Sequence, residues 1–153
     1  DSLETVEIEQ TFSSGSLIPK EAYLEVGERA DLFMDIFDFE WCWRAKAKGF
    51  ITYIVPEIKI PHQLGQGQIN LWWMSMTISQ PYRNYYQFRN ILLMYRHTYV
   101  PLSYKIKRFI SLPVEFIINV FFLDHKFKRL FFITRGIADG IKGVNGARFY
   151  SNS

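Results

Sequence analysis

The apolar and polar positions of this chain change period several times, and each change marks an element. Residues 5–12, Thr-Val-Glu-Ile-Glu-Gln-Thr-Phe, alternate with a period of two, which predicts a half-buried strand ending in the turn Ser13-Ser14-Gly15-Ser16. Pro19 fits a helix start and Gly27 a helix end, so a short helix is expected between them, from Lys20 to Val26. A charged loop, residues 28–31, follows. From about Phe37 the pattern is helical: Ala45, Lys46, Ala47 and Lys48 are good helix formers, cations gather in the last turn, and Gly49 suits a left-handed position beyond it. Residues 50–55, Phe-Ile-Thr-Tyr-Ile-Val, then read as a buried strand stopped by Pro56, with a short second strand over 58–60.

Strand, helix, helix, strand is the order of an α/β unit. Residues 69–77, with Trp72 and Trp73, are ambiguous between helix and loop. They could form a sugar platform, a flap or a packing patch. Ser79 and Pro81 open a long helix in which Tyr82, Tyr85, Tyr86, Arg89, Leu92, Leu93 and Arg96 recur at three- and four-residue intervals. Beyond Pro101 the chain is basic and apolar, and Gly136, Gly140, Gly143 and Gly146 are read as a fraying tail.

Composition narrows the class. A chain of 153 residues is about one domain and can bury about two-thirds of its unfolded surface. With 48% hydrophobic and 18% aromatic residues it is not a disordered segment. The net charge of +3 is unevenly spread: acids concentrate before Asp38 and cations after Arg83. Nucleic acid is a poor partner, because no recognised binding motif is present and the aromatics follow helical spacing. The apolar run 110–123 holds Pro113, Glu115 and Asn119, too short and too polar a stretch to span a bilayer. A basic amphipathic helix there could lie on an anionic membrane surface, or form a hairpin packed on the domain or on a second subunit; the two are compatible. The single Cys42 allows no internal disulfide, which suits a reducing compartment, and it reads as a packing residue.

The candidate chemistry lies at the entrance to the second helix, where Asp35, Asp38 and Glu40 sit among large apolar residues. On a helix Asp35 and Asp38 share a face while Glu40 points elsewhere. A carboxylate there can remain an ionised acceptor, as a general base for a sugar hydroxyl must, or it can cap the helix or pair with Arg44. His62, between Pro61 and the loop Gln63-Leu64-Gly65-Gln66-Gly67, could join a divalent-metal site, bind a diphosphate oxygen or be a loop histidine. Arg89 and Arg96 lie near one helix face, suiting a diphosphate, a phospholipid head group or plain solvation.

The stretch Phe33-Met34-Asp35-Ile36-Phe37-Asp38-Phe39-Glu40-Trp41-Cys42-Trp43-Arg44-Ala45-Lys46-Ala47-Lys48-Gly49-Phe50 resembles the acidic motif of inverting family 2 glycosyltransferases, in particular their bacterial rhamnosyltransferase-like branch. Ser13-Ser14-Gly15-Ser16-Leu17-Ile18, Tyr53-Ile54-Val55-Pro56, Pro61-His62-Gln63-Leu64-Gly65 and Tyr85-Tyr86-Gln87-Phe88-Arg89-Asn90 follow the same family's order and approximate spacing. Trp43 departs from it, standing where relatives usually carry a small or aliphatic residue. The resemblance implies an α/β fold: the C-terminal part of a GT-A, Rossmann-like glycosyltransferase domain over residues 1–80, then a helical, basic C-terminal region over 81–153 that is membrane-associated or oligomerising.

It also implies roles for individual residues. Asp38 would be the catalytic base, with Asp35 and Glu40 holding it and the acceptor. Arg44 would balance their charge and, with Arg89, count as a cofactor-binding residue; His62 and Arg89 would steady the departing diphosphate, and His62 would ligate a metal. Ser14, Gly15, Ser16 and Trp41 would line the acceptor side. The implied cofactor is Mg²⁺ or Mn²⁺, held with ligands from an N-terminal half that carries the nucleotide site, so the isolated chain is not expected to turn over substrate. The implied donor is a dTDP- or UDP-linked sugar, rhamnose among the candidates. The acceptor would be a saccharide or lipid-linked saccharide in bacterial surface polysaccharide synthesis, in the cytoplasm or peripherally on the inner face of its membrane. A noncatalytic docking or oligomerisation module retaining a transferase remnant is the alternative.

Overall fold

In the computed structural model, residues 4–34, 36–61, 68–71, 74–77 and 79–149 are described. Strand β1 (Val6–Ile8) pairs antiparallel with β2 (Thr52–Ile54), with Glu7 opposite Tyr53. Between them run α1 (Lys20–Val26) and α2 (Phe37–Ala47). Both helices take the bounds their punctuation predicts. Gly27 and Gly49 follow them with φ of 85° and 91°, where a side chain would be strained. Both strands are shorter than the alternation suggested, and no strand forms over 58–60.

The ambiguous segment is a hairpin: β3 (Gln68–Leu71) pairs antiparallel with β4 (Met74–Thr77), so neither helix nor plain loop was right. Helix α3 (Pro81–Met94) starts at the proline, as Pro81 indicated, but its N-cap is Gln80 and no side chain makes a cap hydrogen bond, so Ser79 does not cap it. Helix α4 (Leu102–Ile117) contains Pro113 and runs into a π-helical turn, Ile118–Phe122. Helix α5 (Lys126–Lys142) packs along α3.

The glycine-rich end is therefore largely not a fraying tail. Gly136 and Gly140 lie buried inside α5. A Cβ at Gly136 would overlap the Tyr85 carbonyl, and one at Gly140 would come within 2.9 Å of Leu92 Cβ and 3.0 Å of the Arg89 carbonyl. Small residues four apart make the groove that lets two helices approach closely, at the cost of intrinsic helix propensity.

Trp43 anchors the core. With Leu32, Leu93, Met94 and Val100 it forms one buried cluster, and Tyr104 packs on its ring at 4.7 Å between centroids. A second cluster, Val26, Trp41 and Ala45, seats α1 on α2. The large ring at position 43 thus fills space between α2 and the helices that follow.

Candidate active site

Between the turn after β1, β2, α1 and α2 lies a cleft of about 560 Å³, within the range of small-molecule sites. The turn after β1 forms one wall. Gly15, at φ 78°, carries the chain through it, the Ser16 amide donates to the Ser13 carbonyl at 3.1 Å, and the Ser16 hydroxyl donates to the Phe12 carbonyl at 2.6 Å. Ser14 and Gly15 are exposed on this wall, against Ile60 of the opposite side. Trp41 lines the floor, its indole N–H donating to the Gly27 carbonyl at 3.0 Å, with buried Cys42 beside it. The structure thus brings together Ser14, Gly15, Ser16, Trp41 and Asp38, residues from the first turn and the second helix.

Asp38 sits in the first turn of α2 and does not cap it, since no side chain makes a cap hydrogen bond there. Its Oδ1 is buried and accepts no hydrogen bond from any described residue. The nearest cation is Arg29, whose Nη1 stands 3.5 Å from that oxygen and whose guanidinium lies over the Phe37 ring at 5.5 Å. A buried carboxylate oxygen without a donor is costly unless another group supplies one. Asp38 is one of the residues that line the cleft. Arg29 was not singled out in the sequence because it lies within a loop of mixed charge, and nothing local distinguishes it from its solvated neighbours.

Glu40 points the other way, as its position on the helix required. It is completely buried, accepts from Arg44 Nε at 2.8 Å and Nη2 at 3.3 Å, and accepts from the Tyr99 hydroxyl at 2.7 Å. Burial, then the bond to Glu40, pushes the Tyr99 hydroxyl well above its ordinary pKa. Arg44 also donates to the carbonyls of Val26 at 2.7 Å and Glu28 at 2.6 Å. Each of its nitrogens is engaged, so Arg44 is a staple between α2 and the end of α1. Glu40 and Arg44 are the ion pair that spacing alone allowed.

Arg89 is likewise completely buried. Its guanidinium donates to the Asn90 side chain at 3.0 Å, to the Gly146 carbonyl at 2.5 Å and to the Leu32 carbonyl, while resting about equally far from the rings of Tyr85 and Tyr86, at 5.2 and 5.1 Å. Asn90 adds bonds to the carbonyls of Leu32 at 3.0 Å and Met34 at 2.9 Å.

These contacts grip an unusual piece of backbone. Phe33, Met34 and Ile36 all have positive φ, at 43°, 64° and 54°. For non-glycine residues such conformations cost of the order of 1 kcal/mol each and persist only when surroundings impose them. The Tyr-Tyr-x-x-Arg-Asn run on α3 therefore fixes the approach to α2, and through it the place of Asp38.

Asp35 and His62 lie outside the described residues, as do Trp72 and Trp73. Among the described residues no three of His, Cys, Asp and Glu converge on a common point. Nor is any described helix long and apolar enough to cross a membrane.

Compared with curated proteins, the chain is 30% identical over 142 residues to the dTDP-rhamnosyl transferase RfbF of Shigella flexneri, an alignment taking in 92% of this chain and 48% of the relative. The chain spans about half the length of the curated relative it matches. No protein-family model and no solved structure matches it. The similarity supports a rhamnosyltransferase-like glycosyltransferase, and the mixed helix and strand content is compatible with a fragment of an α/β transferase.

Proposed function

We propose that this chain carries the acceptor side and the general base of an inverting, family 2 glycosyltransferase of GT-A type, moving rhamnose from dTDP-rhamnose to a saccharide or lipid-linked acceptor. The observation that carries the reading is Asp38 Oδ1, buried at the edge of the cleft without a hydrogen-bond donor among the described residues. An acceptor hydroxyl entering the cleft would supply that donor. The same carboxylate then takes the hydroxyl proton as the oxygen attacks the anomeric carbon, and the nucleoside diphosphate leaves from the opposite face with the bonding electron pair. One displacement inverts the centre.

Arg29 supports this role. At 3.5 Å from Asp38 Oδ1 and 38% exposed, it pairs with the carboxylate without enclosing it. The mostly apolar floor and the hydroxyl-bearing turn of Ser13, Ser14 and Ser16 match a sugar, which offers one apolar face and a rim of hydroxyls. Donor binding is assigned to the part of the transferase beyond this chain, as the half-length match to the relative suggests. Any divalent cation would draw ligands from outside the described residues, and no step above runs through one.

The test is Asp38→Asn in the full-length protein, assayed with dTDP-rhamnose and lipid-linked saccharide acceptors. Loss of transfer by about a thousandfold with donor affinity unchanged is expected, in line with the usual contribution of a general base. Near-normal turnover would remove Asp38 from that role.

A further inference from the structure

Helix α4 is built inside out. Its buried positions are polar: Ser111, Glu115 and, one turn further on, Asn119 face inward, with Arg108 beside them. Arg108 clamps Glu115 through two bonds at 2.6 and 2.9 Å, and Gln87 of α3 donates to the same carboxylate. Asn84 of α3 and Arg129 of α5 both donate to Asn119 at 2.9 Å. The opposite side of the helix and of the turn after it is apolar and open to solvent: Leu102 70%, Ile106 52%, Phe109 73%, Ile110 65%, Ile117 48% and Phe121 61% exposed. At 100° per residue the α4 members fall within one stripe, facing away from the polar seam. Phe122 and Phe127, 76% and 89% exposed, follow along the chain past the end of α4.

A polar seam inside and a row of large apolar side chains outside is the reverse of what water selects, so something apolar covers that side. Charge indicates what. Glu115, the single acid of α4, is buried in the seam, whereas Lys107 of α4 and Lys126 and Lys128 at the start of α5 are exposed, with Asp124 an exposed acid just before α5. A second copy would bring the same cations against themselves, which two-fold symmetry makes repulsive. We propose that α4 and the start of α5 form a monotopic membrane-docking surface. Its aromatic and aliphatic stripe enters the headgroup boundary of an anionic bilayer while Lys107, Lys126 and Lys128 meet the phosphate layer. Docked so, the helix lies along the membrane plane and does not cross it. The proposal stands independently of the transferase reading.

The experiment is sedimentation of the full-length protein with vesicles of phosphatidylcholine alone, or with a quarter phosphatidylglycerol, at low and high salt. Binding to the anionic vesicles that weakens with salt is expected, and at least about tenfold weaker binding to neutral ones. Neutralising these cations with Lys107→Gln, Lys126→Gln and Lys128→Gln together should lower the partition constant about a hundredfold, each cation near the surface being worth about fivefold. Phe109→Ser with Ile110→Ser should abolish binding; both side chains are exposed, so an unchanged thermal midpoint is expected and is checked alongside. The lysine variant carries the test if that pair aggregates. No sedimentation with either vesicle, or equal binding to both, overturns the proposal. So does a dimer that the Phe109 and Ile110 changes dissolve, since a second copy would then be the cover.

Discussion

Replacing Arg89 separates a buried clamp from a ligand contact. In Arg89→Met the side-chain volume is roughly kept while the guanidinium goes. The Gly146 carbonyl loses its bond at 2.5 Å, the Asn90 side-chain oxygen loses its bond at 3.0 Å, and the Leu32 carbonyl keeps only Asn90, at 3.0 Å. Hydrogen bonds to a charged group are worth about 1.5–3 kcal/mol each, and the contacts with Tyr85 and Tyr86 add to them. Against this, relieving the desolvation of a buried cation returns several kcal/mol. A net destabilisation of about 3 kcal/mol follows, lowering the thermal midpoint by roughly 6–12 °C for a domain of this size. Lysine should rescue little, because one ammonium cannot fork between Leu32 and Gly146. The assay is differential scanning calorimetry beside donor binding, measured below the new midpoint. Affinity for dTDP-rhamnose should be unchanged in the folded protein, whereas transfer should fall, because the left-handed segment that positions Asp38 loses its hold. An unshifted midpoint with weakened donor binding would refute the clamp and return Arg89 to the diphosphate.

Other changes probe the same framework. Gly136→Ala pushes a methyl group into the Tyr85 carbonyl, backbone that cannot swing aside, and should cost about 1–3 kcal/mol in urea unfolding; Gly140→Ala, facing the Leu92 side chain as well as the Arg89 carbonyl, should cost less. Tyr99→Phe leaves buried Glu40 with Arg44 alone, and a loss of about 1–2 kcal/mol is expected in the same assay. Alkaline pH should unfold the protein. Burial raises Tyr85, Tyr95 and Tyr99 in the folded state above the unfolded value of 10.0, so the unfolded chain releases its protons first and stability falls once pH passes that value. Each such tyrosine contributes a slope of about 1.4 kcal/mol per pH unit, so Tyr99→Phe should flatten the decline by up to that amount. An unchanged slope would show that Tyr99 is not held neutral by its surroundings.

What the sequence made legible was local. Pro19, Gly27, Pro81 and Gly49 bound helices because their backbone constraints act on their own residues, and those bounds hold in the structure. The grouping of Ser14, Gly15, Ser16, Trp41 and Asp38 was implied by family resemblance and could not have come from spacing, since they are brought together only when α1 and α2 fold against the strands. What stayed hidden was direction. In α3 Tyr82, Tyr85, Tyr86 and Arg89 recur at three- and four-residue intervals, and a period reveals that a stripe exists without telling which stripe is covered. Arg89 went inward because three aligned acceptors, two of them carbonyls of irregular backbone, needed a forked donor that no apolar residue provides. Gly136 and Gly140 read as flexible because their effect lies in a neighbour, α3, rather than in their own helix.

Helix α4 makes the same point in reverse. Its amphipathicity was plain, and ordinary burial would have turned the apolar stripe to the core. The core side was already polar, however: Gln87, Asn84 and Arg129 offer donors there, and Glu115 and Asn119 accept from them. Burying those donors against leucine and phenylalanine would cost more than exposing the stripe, so the polar seam fixes the helix rotation and the apolar face is left outward. A helix held this way has a built-in test. Glu115→Leu should unfasten the seam, leave Arg108 and Gln87 without their acceptor and lower the thermal midpoint, even though it makes α4 more apolar. A rise in stability would show that the seam does not set the rotation.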